Sequence, residues 1–207
     1  MVEPRRLVLV GGGAGTGKTM VARTLSRALD AGWLQVDTLW IALTDAAEPG
    51  SDRRRVLDVD GALRGGTTLP DELVAQHMEA AAIVCDALSG ALALELQTHR
   101  TVVADGAWIV PEWAAQLELD GAVVRPIFLH EPDADHLRAA MTSRRSMPMA
   151  APWHDRSARL AWLFGEAVVR DASRLGLPVV ESRPYESLND RVGARPLSLV
   201  GKPARAR

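Results

Sequence analysis

The chain of 207 residues is long enough for one α/β domain with a substantial core and a small insertion. A formal net charge of −2 and a pI of about 6.2 leave no global basic field, so nucleic acid is not an expected partner. The one cysteine, Cys85, excludes an internal disulfide, fits a reducing compartment and reads as a small apolar residue on a helix.

In chain order, Leu7 to Val10 is an apolar run that reads as a buried parallel strand. It leads into Gly12-x-x-x-x-Gly17-Lys18-Thr19, the phosphate-binding pattern of a P-loop. Glycines let the backbone wrap closely round phosphate oxygens, with amide N–H groups pointing inward as an anion nest. The expected cradle comprises Gly12, Gly13, Ala14, Gly15, Thr16, Gly17, Lys18, Thr19 and Met20. Lys18 can reach the β- and γ-phosphates of a nucleoside triphosphate, while the Thr19 hydroxyl can sit on Mg²⁺. Met20 to Leu29 reads as a helix whose positive end faces the same anion.

Trp33 to Val36 is a second short apolar run, ending at Asp37. Residues 45–68 are polar, with Pro49-Gly50, Arg53-Arg54-Arg55 and Gly65-Gly66, and are expected to form a loop or mobile insert. A long helical pattern runs from Pro70 to about Gln97, with Asp71 and Glu72 at its positive end. Thr101 to Ala104 is the third strand, ending at Asp105-Gly106, followed by a short helix over Pro111 to Leu117 and a fourth strand over Ala122 to Leu129. Asp133 to Thr142 and Ser157 to Leu175 read as helices around a loop over 143–155. A fifth strand, Leu177 to Val180, and a short helix near Ser187 to Val192 close one domain over 1–195, and the Pro-containing basic tail over 196–207 is expected to be disordered. No signal peptide is expected before the P-loop, and the longest apolar stretch, Met78 to Leu96, is broken by Glu79, Asp86 and Glu95. The expectation is a cytoplasmic protein without a membrane partner.

Apolar, non-alternating strands that alternate with helices predict one parallel sheet covered on both faces, with functional groups beyond the carboxyl ends of its strands. Asp105 there has the form of a Walker B carboxylate that can hold Mg²⁺. Asp37 is either the base for an acceptor hydroxyl or an N-cap for the helix near Thr38. Arg144 and Arg145, on the 143–155 loop, are the cations expected to neutralise charge on the transferred group. Arg53, within its triplet, either grips an anionic acceptor or is solvated. Trp40 and Trp108 either line an acceptor pocket or pack in the core. Asp58-x-x-Gly61 lacks a preceding apolar strand, and His130-Glu131 lacks the second histidine of a metalloprotease helix, so neither is read as a site. The five histidines have no zinc-ligand spacing.

Together these residues resemble the P-loop small-molecule kinases, which include shikimate, gluconate and nucleoside monophosphate kinases. Val103-Ala-Asp-Gly-Ala-Trp-Ile-Val-Pro111 resembles the Glu-Gly-x-His-x-x-Pro segment of 2-phosphoglycerate kinase-like proteins, with Asp105 for the glutamate and Trp108 for the histidine. Gln35-Val-Asp37-Thr-Leu-Trp40 resembles the second-strand aspartate region of chloramphenicol phosphotransferases and zeta-type toxin kinases. The resemblance implies a three-layer α/β/α P-loop fold with five parallel strands in order 2-3-1-4-5 and a helical lid over 143–155. It implies that residues 45–68 shape acceptor binding, that adenine rests between Arg144 and the loop Ser182-Arg183-Pro184-Tyr185, and that the γ-phosphate of ATP passes to a small-molecule hydroxyl. The alternatives are a nucleotide-binding ATPase with a regulatory role, and a toxin-type kinase acting on a nucleotide sugar.

Overall fold

Five parallel strands form a single sheet in the order β2-β3-β1-β4-β5. The computed structural model describes residues 4–143 and 151–193. The strands are β1 (Arg5–Gly12), β2 (Gly32–Gln35), β3 (Thr101–Asp105), β4 (Ala122–His130) and β5 (Val179–Glu181). Between them run α1 (Lys18–Ala28), α2 (Val36–Ala46), α3 (Asp52–Leu57), α4 (Val59–Gly65), α5 (Pro70–Thr98), α6 (Pro111–Gln116), α7 (Ala134–Thr142) and α8 (Ala151–Arg174). A 3₁₀ turn over Tyr185–Ser187 leads into α9 (Leu188–Gly193). The strand order is the expected one, and helices flank the sheet on both faces.

The period of two along β1 explains the layering. Leu7 and Leu9 enter a core with α5 and α8 on one face, while Val8 and Val10 enter a second core with α1 and α9 on the other. All four are at most 4% exposed, as a doubly covered parallel strand requires. Register then fixes the site: Val10 pairs with Asp105, and Gln35 pairs with Asp105 from the other side. The β3 carboxylate therefore lies level with the strand residue just before the glycine loop.

The expected loop over 45–68 is corrected by the structure. Ser51 Oγ accepts the Arg54 amide at 3.1 Å, and Asp58 Oδ1 accepts the Gly61 amide at 2.9 Å, so each starts a short helix, α3 and α4. Val56, Leu57, Val59 and Leu63 are buried from those helices into the α5 side of the core. The Asp58-x-x-Gly61 spacing is thus a helix cap. Asp37 is corrected in the same way: β2 stops at Gln35, and Asp37 lies in the first turn of α2, neither ending a strand nor capping a helix.

At α5 the sequence signals hold, with Pro70 at the first position and Glu72 Oε2 accepting the Leu69 amide at 3.1 Å. Helix α8 begins earlier than the apolar period indicated, and Pro152 falls in its first turn, where a missing N–H costs no intrahelical bond. Of the expected lid over 143–155, residues 144–150 lie outside the described residues, as does the tail over 196–207. Among the described residues, no helix is long and apolar enough to cross a membrane.

Candidate functional site

The glycine loop between β1 and α1 adopts backbone that side chains cannot follow. Gly12, Gly15 and Gly17 have φ of 126°, 89° and 88°. A Cβ on Gly12 would stand 2.2 Å from the Leu129 carbonyl oxygen, and one on Gly13 would stand 2.5 Å from that of Ala161. The loop is therefore wedged between β4 and α8. Gly17 starts α1 without a side-chain cap and with no acidic residue in the first turn, which leaves that turn's N–H groups for an anion.

Lys18 is buried, and its ammonium donates to the Gly13 carbonyl at 2.8 Å, folded back across the loop. Thr16 Oγ1 donates to the same carbonyl at 2.9 Å. Ala14 and Thr19 are partly buried, while Met20 is exposed. Thr19 Oγ1 donates to Asp105 Oδ2 at 2.8 Å, and Trp33 Nε1 donates to Asp105 Oδ1 at 2.8 Å. Burial pushes the Asp105 carboxyl above its ordinary value; bonds from Trp33 and Thr19 and the Lys18 charge pull it back, and Asp37 adds to the rise. Thr19 and Asp105 thus place two hard oxygen donors together beneath the loop, a donor pair that fits Mg²⁺ completed by water and phosphate oxygens.

Asp37 is exposed at the start of α2, against the end of β3. Gly106 makes that approach possible, because a Cβ there would meet Val36 Cβ at 2.7 Å and Asp37 Oδ1 at 3.4 Å. Asp60, in α4, is a neighbour that sequence reading missed. Burial raises its carboxyl, Arg64 opposes the rise, and Asp58 and Asp37 add to it. The structure therefore gathers Lys18, Thr19, Asp105 and Asp37 at one edge of the sheet.

The fold is similar to that of solved structures. A gluconokinase from Sinorhizobium meliloti superposes with a TM-score of 0.52 at 16% identity, over 94% of this chain and 92% of that one. A provisional kinase from Chloroflexus aurantiacus gives 0.54 at 20% identity, over 96% of this chain and 100% of that one. A Thermus thermophilus protein gives 0.52 at 18% identity, over 97% and 100%. The chain has their fold. No protein-family model and no curated protein sequence matches it.

Arg53 is set apart from this group, whereas Trp40 lies one helical turn beyond Asp37 on α2. Arg53 sits at a shallow depression with Leu43, Ala46, Ala47, Glu48 and Ser51, at the end of α2 away from Asp37. Its neighbour Arg54 donates to the Thr44 carbonyl, and Arg55 pairs with Asp52 at 3.0 Å. Trp108 is 5% exposed and stacks on Trp40 at 4.7 Å, while Trp40 Nε1 donates to the Leu57 carbonyl at 2.9 Å. Trp108 is packed in the core, and the tie from Trp40 helps seat α3. Arg144 and Arg145 lie outside the described residues.

The segment after β5 does approach the loop. Ser182 Oγ, fully buried, donates to the Thr16 carbonyl at 2.9 Å, and Tyr185 Oη donates to the Gly15 carbonyl at 3.3 Å. Arg183 and Pro184 lie between these two anchors, joined by a cis peptide bond. The resemblance places Ser182 and Tyr185 in the loop beside the nucleotide, but no local pattern announces their bonds to residues more than 160 positions earlier.

Proposed function

We propose that the protein is an ATP- and Mg²⁺-dependent phosphotransferase that moves the γ-phosphate to a hydroxyl of a small molecule. The observation that carries this reading is the meeting of Lys18, Thr19 and Asp105 beneath a glycine loop, with the exposed carboxylate of Asp37 beside them. The occurrence of the fold in a gluconokinase supports the same class of chemistry. Backbone amides of the loop and Lys18 would hold the phosphates; Thr19 and Asp105 would hold Mg²⁺, which neutralises charge on the β- and γ-oxygens when bound. The acceptor oxygen would attack the γ-phosphorus as the bond to the bridging oxygen breaks. Its proton would pass to Asp37, and ADP would leave. Arg144 and Arg145 are the proposed cations over the transferred group.

A library of hydroxylated metabolites and antibiotics, screened for acceptor-dependent ADP production, tests the reading. For an acceptor so found, Asp37→Asn is expected to bind ATP normally and to lose about 10²-fold or more in turnover. Turnover that ignores every acceptor and rises with protein concentration would instead mark a self-assembling ATPase.

A further inference from the structure

Helix α4 opens between α2 and α5. Gln76 Nε2, in α5, donates to the carbonyls of Arg55 and Val56 at 2.9 and 3.2 Å. Trp40 Nε1, in α2, donates to the next carbonyl, that of Leu57, at 2.9 Å. The junction of α3 and α4 is therefore pinned to α2 one turn beyond Asp37, and to α5 at the residue before His77. Asp58 is spent there as the α4 cap. Asp60 stands half-buried in the first turn of α4, and among the described residues neither it nor the exposed Asp37 has a hydrogen bond or an ion pair. The Lys18 and Asp37 charges act on Asp105, and the Asp37 and Asp58 charges act on Asp60, so Asp37 stands between the other two carboxylates.

The nearby cations are engaged elsewhere. Arg53 lines the depression at the far end of α2, Arg54 donates to the Thr44 carbonyl, Arg55 pairs with Asp52, and Arg156 donates to three backbone carbonyls. Lys18 donates to the Gly13 carbonyl within the glycine loop. Arg64, one turn along α4, is exposed and eases the Asp60 charge without an ion pair to it. His77 adds no charge, since burial pushes its imidazole down to about 3, and neither of its nitrogens has a partner. Asp37, Asp60 and His77 thus offer two carboxylates and a lone pair, all of them hydrogen-bond acceptors. An anionic acceptor would meet repulsion here, and a neutral polyol would leave the Asp60 charge unmatched. A cation seated at Asp60 would relieve the burial and the repulsion that raise its carboxyl.

We propose that the acceptor is a hydroxylated amine whose ammonium is held by Asp60, which leaves Asp37 for its hydroxyl. The inference rests on the phosphotransferase reading above and names the chemical class of its acceptor.

Acceptor-dependent ADP production with three matched sets of compounds tests it: amino sugars and amino alcohols, their N-acetyl forms, and the corresponding hydroxy acids. Acceptors are expected among the amines, with kcat/KM about tenfold or more above that of the N-acetyl form, the size of one charge-assisted hydrogen bond. For such an amine, Asp60→Asn should raise KM about tenfold and narrow the preference over the N-acetyl form to within about twofold. A merely structural Asp60 would lower activity on both forms and leave their ratio as in the wild type, which would overturn the proposal. The wild-type comparison of amine with N-acetyl form stands even if Asp60→Asn does not fold. Acceptors that are only neutral or anionic, or an amine and its N-acetyl form used equally, would also overturn it while leaving the phosphotransferase reading intact. No ADP production with any of the three sets would overturn both.

Discussion

The imidazole of His77, in α5, lies 4.0 Å from the ring of Phe164 in α8, stacked at 17°, with Trp108 at 4.4 Å from it. Neither ring nitrogen has a hydrogen-bond partner, and both are out of solvent contact, although other atoms of the residue remain partly exposed. Burial, with the Lys18 charge adding to it, pushes the imidazole down to about 3. Between about pH 6.5 and 3 the unfolded chain therefore takes up a proton that the folded one refuses. Stability present above pH 6.5 is lost as pH falls through this window, at about 1.4 kcal/mol for each unit of difference. His77→Phe removes both orphaned nitrogens and should be neutral or stabilising at pH 7. Urea unfolding between pH 7.5 and 4.5 should show a shallower pH dependence in the variant; matching slopes would exclude this account.

The close packing of the glycine loop gives a second expectation. Gly12→Ala meets both a φ of 126° and the Leu129 carbonyl at 2.2 Å, so β1 and β4 must separate locally. The cost should be about 2 kcal/mol or more, read as a fall in the thermal midpoint without ligand. A midpoint equal to wild type would refute it.

On the proposed reading, Trp33 steers the metal-binding carboxylate from outside the ligand set. Trp33→Phe keeps an aromatic ring at β2 but frees Asp105 Oδ1 from its 2.8 Å bond. The Mg²⁺ concentration for half-maximal nucleotide binding should rise about tenfold, and Asp105→Asn should remove most of the Mg²⁺ dependence. An unaltered Mg²⁺ titration in Trp33→Phe would show that the bond serves packing alone.

Cys85 should be chemically silent in the native protein. It is 1% exposed, its Sγ donates to the Trp108 carbonyl at 3.1 Å, and burial pushes its thiol up to about 12. Thiolate is the reactive form, so iodoacetamide at pH 8 should leave the folded chain unmodified and label one site after unfolding. Rapid labelling under native conditions would contradict the packing of α5 against Trp108.

Arg156 ties α8 to the corner between α4 and α5. Its Nε, Nη1 and Nη2 donate to the carbonyls of Leu63, Gly66 and Thr68 at 3.2, 3.2 and 2.6 Å. Arg156→Ala should cost about 1 kcal/mol, because the Gly66 carbonyl lies in solvent and water can replace part of what is lost. Hydrogen exchange should speed up over residues 63–73 ahead of the sheet. Uniform exchange along the chain would argue against a local clasp.

Periodicity and glycine chemistry were enough to read the five strands, the glycine loop between β1 and α1, and Asp105 at the end of an apolar strand, because each is written in contiguous residues. The two short helices at 52–65 were not legible, since six and seven residues carry under two turns of period and the arginine triplet masks their buried residues. Tertiary structure alone decided the rest. Trp33 meets Asp105 across 72 positions and Glu131 meets Arg183 across 52, pairings set by sheet register and strand order. Likewise the contacts of His77 with Trp108 and Phe164 exist only where α5, α8 and the loop after β3 converge. Local sequence determined the glycine loop; the fold decided which side chains stand beside it and which way they face.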